Sequence, residues 1–379
     1  MNNNQIEIQF HQGLALHQQG SLEKAKAIYE AILRVNPAHF NALQLLGVIY
    51  LEEKQYVKAI DLITMAIKIQ SDQAPCFYNL GNAYLALSRY EDAITCYDKA
   101  IVLSPNFSQA FFNRARALEE LQLFDVAILG YDQAIMCDGS YAEAYLSRGN
   151  LYHRLRRMEE AIRDYNQAIT IKSDFAIAHH DRGVALQELQ RLNEAVESYD
   201  KAIAIRGDYA DAYCNRGYAL QELQQLEGAI ASYKKAISIN GNYPEAYWNL
   251  SLCQLQLGDF DEGWRGFEWR WKIQDTSKTA GSRSFKQKLW LGDESLIGKT
   301  ILLHAEQGYG DSIQFCRFAK SVSQLGANVI LEVQPSLVNL LQGIEGVNQV
   351  VARGDQLPDF DYQCPLMSLP LALQIHLEN

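Results

Sequence analysis

The sequence predicts a mainly α chain: a right-handed superhelix of about eight helix pairs, followed by a partial α/β domain. Three observations carry this. A period of 34 residues runs through the first two thirds of the chain. Each period holds two amphipathic stretches, such as "CFYNLGNAYLAL" and "YEDAITCYDKAIVL", with apolar residues at helical spacing. After about residue 299 the pattern changes to short apolar runs alternating with helical segments, which implies a parallel sheet.

The period is read from columns. Steps of 34 from Gly81 reach Gly13, Gly47, Ala115, Gly149, Gly183, Gly217 and Ser251. Twelve residues further in each unit stand Ala25, Ala59, Ala93, Ala127, Ala161, Ala195, Ala229 and Gly263. Four beyond those come Tyr29, Ile63, Tyr97, Tyr131, Tyr165, Tyr199, Tyr233 and Phe267. Small residues let two helices approach, and the aromatic ring fills the gap to the next unit. One pair cannot bury its apolar face alone, so neighbours stack. The units start near 6, 40, 74, 108, 142, 176, 210 and 244 and place a solenoid over 1–273. At the unit boundaries Pro37 and Pro105 alternate with Gly139, Gly207 and Gly241, glycines that could close helices through left-handed caps.

Period and columns together resemble the tetratricopeptide repeat (TPR) over residues 6–273. The resemblance implies a superhelix with a concave groove lined by the first helix of each pair. Two residues before the glycine column the chain reads Asn79, Asn113, Ser147, Asp181, Asn215 and Asn249 in six consecutive units. A carboxamide both donates and accepts, so a row of them suits the backbone of an extended polypeptide. The row resembles the asparagine ladder of O-linked N-acetylglucosamine transferases, which implies a peptide groove. The alternative is that these residues satisfy groups between repeats. The column Arg114, Arg148, Arg182 and Arg216 is expected to pair with Asp98, Asp132, Asn166 and Asp200 rather than to bind a ligand.

Near the array's end "GWRGFEWRWKI" concentrates Trp264, Phe267, Trp269 and Trp271, expected to plug the open solenoid. Residues 274–298 read as a linker, beginning with the small polar stretch "QDTSKTAGSRSFKQ". From 299 to 379, "TILLHA", "ANVILEV" and "NQVVA" read as strands, with "FDYQCPLM" a fourth. Helices are expected between them, which makes a Rossmann-like half-domain. Its first strand-to-helix loop is "HAEQGYGDSIQF", and ligands of such sheets bind at the carboxyl ends of strands. "LIGKT" lacks the first glycine of a P-loop and precedes a strand, which excludes that reading. "GYGDSI" has Ile313 where a dinucleotide fingerprint needs its third glycine, although Glu332 ends the second strand as a ribose-binding acid would.

The segment "LLHAEQGYGDSIQFCRFA", with "EWRW" and "LWLGDESLIGK" before it and "PLMSLPLAL" after it, resembles the N-terminal half of the heptosyltransferase-like (GT-B) glycosyltransferase domain that some bacterial chains carry after TPR repeats. The resemblance implies that Asp311 is the general base toward an acceptor hydroxyl. Gly308 and Gly310 would allow close approach, and Glu306 and Gln307 would line the acceptor-side rim. Asp311 could instead simply cap its helix. Only 80 residues follow Lys299, so the donor-binding half is expected to be absent or supplied by another chain. The expectation is therefore a protein-binding scaffold with an inactive, truncated tail; the alternative is a component of a TPR-linked glycosyltransferase using a nucleotide-sugar donor.

The remaining indicators mostly exclude. A net charge of -11 gives no basic face for nucleic acid. No run approaches a membrane span, and "MNNNQIEIQF" lacks the pattern of a signal peptide. The seven cysteines are scattered with no CxxC pair, which fits reduced thiols in the cytoplasm rather than disulfides or a metal site. No cofactor is expected.

Overall fold

The computed structural model describes residues 3–273, 285–306 and 308–376. The chain divides into two compact units, Met1–Leu189 and Gln190–Asn379. The division falls inside the sixth helix pair, so the second unit holds the last helices together with the sheet.

The first unit holds eleven helices: α1 Asn3–Gln18, α2 Leu22–Val35, α3 Phe40–Glu52, α4 Tyr56–Ile69, α5 Ala74–Ala86, α6 Tyr90–Leu103, α7 Ser108–Glu120, α8 Phe124–Cys137, α9 Ala142–Arg154, α10 Met158–Ile171 and α11 Ala176–Glu188. The second opens with α12 Leu192–Ile205, α13 Ala210–Glu222, α14 Leu226–Ile239, α15 Pro244–Gln256 and α16 Phe260–Phe267. Within each unit consecutive helices pack on one another, and in the first unit first helices also touch, α3 with α5, α5 with α7 and α9 with α11.

The columns have a direct steric cause. A Cβ placed on Gly81 would lie 2.6 Å from the Tyr97 ring, and one on Gly217 would lie 2.6 Å from that of Tyr233. Each ring therefore rests on the glycine of its own pair, and Tyr97 and Tyr233 are fully buried. Where the glycine is missing, the second helix supplies the space. Gly130 faces Ala115 and Gly266 faces Ser251, each with 2.9 Å from a would-be Cβ to the partner's Cβ. The two departures in the glycine column are thus each compensated fifteen residues later.

The turn inside each pair follows one design. Lys54, Ser88, Gln122, Arg156, Gln190 and Gln224 all take φ between 56° and 60°, and Gly20 and Gly258 hold the same place in the outermost pairs. The next residue donates back to the carbonyl five before it, as from Gln55 to Tyr50 (2.8 Å) and from Arg89 to Tyr84 (2.9 Å). This is the Schellman closure. Gly139, Gly207 and Gly241, by contrast, do not enter the left-handed region. The expected glycine caps between pairs are therefore not formed; the left-handed residue sits in the other turn.

The C-terminal sheet has five parallel strands: β1 Lys288–Leu289, β2 Thr300–His304, β3 Asn328–Val333, β4 Gln349–Ala352 and β5 Tyr362–Pro365. Their order is β1-β5-β2-β3-β4, so it reverses between β2 and β5. Ile301, Leu302 and Leu303 are fully buried, since both faces of β2 are covered. α17 Tyr309–Phe315 and α18 Ala319–Gln324 lead from β2 to β3, α19 Val338–Leu341 precedes β4, and α20 Leu369–Ala372 follows β5. The expected linker is a shorter segment than 274–298: β1 pairs with β5, and Trp290 is 1% exposed with its indole N–H on the Glu294 carbonyl (3.0 Å). Residues 274–284 of that linker lie outside the described residues. Six of the seven thiols are buried, and burial pushes Cys76, Cys96, Cys214 and Cys253 up to about 11.

Candidate functional site

The polar column lies on first helices throughout. Asn79 is on α5, Asn113 on α7, Ser147 on α9 and Asp181 on α11, all half-buried in the first compact unit. Asn215 on α13 and Asn249 on α15 hold the same exposure in the second. The Asn113 carboxamide donates both protons to side chains of α5, to the Tyr78 hydroxyl (3.1 Å) and to Asn82 Oδ1 (2.9 Å). Its oxygen remains for an incoming N–H. Asp181 accepts from His180 Nδ1 at 2.9 Å. Asn113 thus joins side chains of neighbouring pairs, whereas Asp181 meets its own chain neighbour.

The arginine column is internal. Arg114 donates to Asp98 (2.6 Å), Arg182 to Asn166 (2.9 Å), and Arg216 to Asp200 (2.6 Å) and the Ser232 hydroxyl (2.7 Å). Arg148 grips Asp164 through two bonds of 2.7 Å and also meets Asp132. Asp164 was not anticipated from sequence; it stands one residue before the tyrosine column, where the other units from the third on carry Cys96, Gly130, Ser198, Ser232 and Gly266. Burial and these acids act oppositely on Arg148, and the acids prevail, holding its pKa above the ordinary value.

The strand-end loop is less open than expected. Glu306 follows β2, but its side chain is only 6% exposed. Arg270, from a 3₁₀ turn at Glu268–Lys272 after α16, donates to both Glu306 oxygens (3.0 and 2.9 Å) and to the Ser368 hydroxyl (2.8 Å). Glu268 accepts from Arg270 (2.6 Å) and from Ser368 (2.8 Å). Burial pushes the Glu306 carboxyl up while Arg270 pulls it down. The expected acceptor-side residue is thus a buried ion-pair partner, at the carboxyl ends of β2 and β5 where the strand order reverses.

Gln307 lies outside the described residues. Gly308 is the N-cap of α17, so Asp311, third in that helix and half-buried, does not occupy the capping position. The Asp311 carboxylate turns toward Gly308, whose would-be Cβ lies 3.7 Å from Oδ2. Gly310 is exposed with open space around it. Ser312 is buried and donates to the Gln334 side-chain oxygen after β3 (2.9 Å). Glu306 and Asp311 therefore serve different surroundings.

The tryptophans do not form a simple plug. Trp264 packs on the sheet domain's core, edge-on to Phe315 at 6.1 Å, and Trp269 stacks on Tyr247 of α15 at 3.8 Å. Trp271 is 43% exposed. Among the described residues no group of histidine, cysteine or acidic side chains is placed to hold a metal ion, and no helix is long and apolar enough to cross a membrane.

Comparison with known proteins identifies the helical pairs. The tetratricopeptide repeat matches residues 9–75, 74–107 and 142–175, and the TPR repeat matches 188–224 and 222–258. No curated protein matches. Among solved structures, the C-terminal part of a TPR repeat-containing protein from Cytophaga hutchinsonii is 15% identical, with 64% of this chain and 99% of that one covered and a TM-score of 0.55. A tetratricopeptide repeat protein from Parabacteroides merdae is 20% identical over 66% of this chain and 100% of that one, with a TM-score of 0.49. YrrB, described as a TPR protein with an unusual peptide-binding site, is 21% identical over 48% of this chain and 95% of that one, at 0.43.

Proposed function

Since residues 9–107, 142–175 and 188–258 belong to the tetratricopeptide repeat family, we propose that the chain is a protein-interaction scaffold whose first-helix face holds an extended polypeptide. The observation that carries this is the half-buried polar column on successive first helices. Asn79 has its whole carboxamide available, and Asn113 keeps its oxygen once both protons are committed to Tyr78 and Asn82. Such groups read peptide backbone without regard to side chain, at roughly 0.5–1.5 kcal/mol each. Replacing Asn79, Asn113, Asn215 and Asn249 together by alanine should weaken capture of the partner recovered by pull-down about a hundredfold, measured by titration calorimetry. Unchanged affinity at unchanged Tm removes this reading.

A second reading is supported by the placement of Gly308, Gly310 and Asp311 after the first long strand, beside the reversal of strand order. In it the C-terminal portion is a Rossmann-like, glycosyltransferase-type half-domain. Asp311 takes the proton of an acceptor hydroxyl, and another polypeptide supplies the nucleotide-sugar site. Against turnover by this portion alone stands Arg270, which fills the β2–β5 crevice. Thermal-shift titration with a panel of acceptor sugars, the ligand this portion would itself hold, separates the two readings, because a ligand of the folded state raises Tm. The scaffold reading expects no shift with any of them, whereas a shift lost in Asp311→Asn favours the enzyme.

A further inference from the structure

The first helices α7, α9 and α11 carry five arginines, and four are matched. Arg114 meets Asp98, Arg148 meets Asp132 and Asp164, Arg154 meets Glu119 (3.0 Å), and Arg182 meets Asn166. Arg116 is the exception. It is exposed, its guanidinium lies 6.0 Å from the Phe112 ring centroid, and it meets no carboxylate among the described residues. It stands one helical turn after Asn113, on the same face.

The groups flanking Arg116 on the helices before and after are neutral and mostly donating, while its own helix carries Glu119 and Glu120 one turn on. At the same position in the pairs before and after stand Asn82 on α5 and Asn150 on α9. Asn82 Oδ1 already accepts from the Tyr97 hydroxyl (2.8 Å) and from Asn113 (2.9 Å), and Asn150 Oδ1 accepts from the Tyr165 hydroxyl (2.8 Å). With their oxygens held by these partners, both carboxamides have N–H groups left to offer. The nearby acids are engaged or farther along the helix. Glu119 is held by Arg154 and by the Tyr131 hydroxyl (3.0 Å), Asp181 by His180, and exposed Glu120 lies a turn beyond Arg116. Along the face the order is donor, cation, donor. Such an order complements an anionic acceptor, and bonds to ionised groups are the stronger kind.

We propose that the face centred on Arg116 receives an aspartate or glutamate side chain of the bound polypeptide, with Arg116 as its counter-ion and the Asn82 and Asn150 carboxamides as flanking donors. This rests on the reading of the first-helix face as peptide-holding. A side chain fits better than a chain terminus, because the column continues on both sides, through Asn79 and Ser147, and a polypeptide passes across the site. The scaffold then has a preferred register, set by one acidic residue of its partner.

The test uses the full chain and three fluorescein-labelled, C-terminally amidated peptide pools. They are random at every position except the centre, fixed as Glu, Gln or Lys, and are compared by fluorescence anisotropy. The Glu pool should bind about tenfold tighter than the Gln pool, with a preference that shrinks as salt rises. Arg116→Gln should reduce that preference to near unity while binding of the Gln pool persists. The isosteric Asn82→Asp should reduce it as well, by replacing a donor with a repelling carboxylate. Equal binding of the Glu and Gln pools, or a preference that survives Arg116→Gln, overturns the proposal and leaves the peptide-holding reading intact. If no pool binds, the peptide-holding reading fails and this assignment falls with it.

Discussion

Replacing Arg270 by alanine is expected to destabilise the C-terminal compact unit by about 3–5 kcal/mol, the usual consequence of stripping one partner from a buried ion pair. The arginine is 5% exposed and satisfies Glu306, Glu268 and Ser368 at once. Without it the carboxylates of Glu306 and Glu268, 6% and 17% exposed, are left together with no cation. The pH dependence has a definite sign. Burial raises the folded-state pKa of Glu306, and deleting Arg270 removes the group that opposes this. A carboxyl with a raised folded pKa binds protons more tightly when folded, so its contribution to stability is lost as pH rises through that pKa. The variant should therefore lose most near neutrality and recover part of the deficit as the medium is acidified. Chemical denaturation followed by tryptophan fluorescence, with Trp264 and Trp290 as reporters in this unit, measures both effects. If Arg270→Ala melts like the parent at pH 7, the crevice is wetter than the contacts imply.

The second large effect is expected at Gly81. Valine there would drive its Cβ to within 2.6 Å of the Tyr97 ring, which is fully buried and cannot retreat without leaving its own pair. Overpacking of this kind costs about 1–3 kcal/mol. Because each pair is supported chiefly by its neighbours, the loss should be local in origin and spread to adjoining pairs. Hydrogen exchange should show the earliest loss of protection in α5 and α6. Ala115→Gly, by contrast, introduces no clash and should cost only about 1 kcal/mol, the ordinary penalty of glycine in a helix interior. A Gly81→Val protein with parental protection in those helices would mean that the ring is not the constraint.

The helix pairs were legible because their signals are local and repeated. Glycine, alanine and tyrosine recur at fixed offsets, and a fixed offset on a helix defines a face. The strands from "TILLHA" to "FDYQCPLM" were legible too, as apolar runs that suit a doubly covered sheet. What escaped was non-local. The bond between Arg270 and Glu306 joins residues 36 apart across a change of architecture, and no pattern of spacing announces it. β1 escaped because it is only two residues long, and the apolar run Leu289, Trp290 and Leu291 around it is too short to read as a strand. Gly130 and Gly266 were within reach: a small residue on the second helix coincides with each lapse in the glycine column. Within the face itself the column was readable, but not the use of Asn82 and Asn150 oxygens by tyrosine hydroxyls, which depends on how neighbouring pairs meet.

The repeated left-handed corner holds back a reserve of stability. Lys54, Ser88, Gln122, Arg156 and Gln224 are exposed and sit in a backbone region that side chains resist, at a cost of order 1 kcal/mol each. Glycine at any of them should recover roughly 0.5 kcal/mol after its own loss of chain entropy. Because the corners lie in separate pairs, the gains should accumulate nearly independently. A variant with all five replaced should show a clearly raised Tm in calorimetry with its polar column untouched. The array can therefore be hardened from its outer bends inward, which makes it a tolerant frame on which to regraft the binding face.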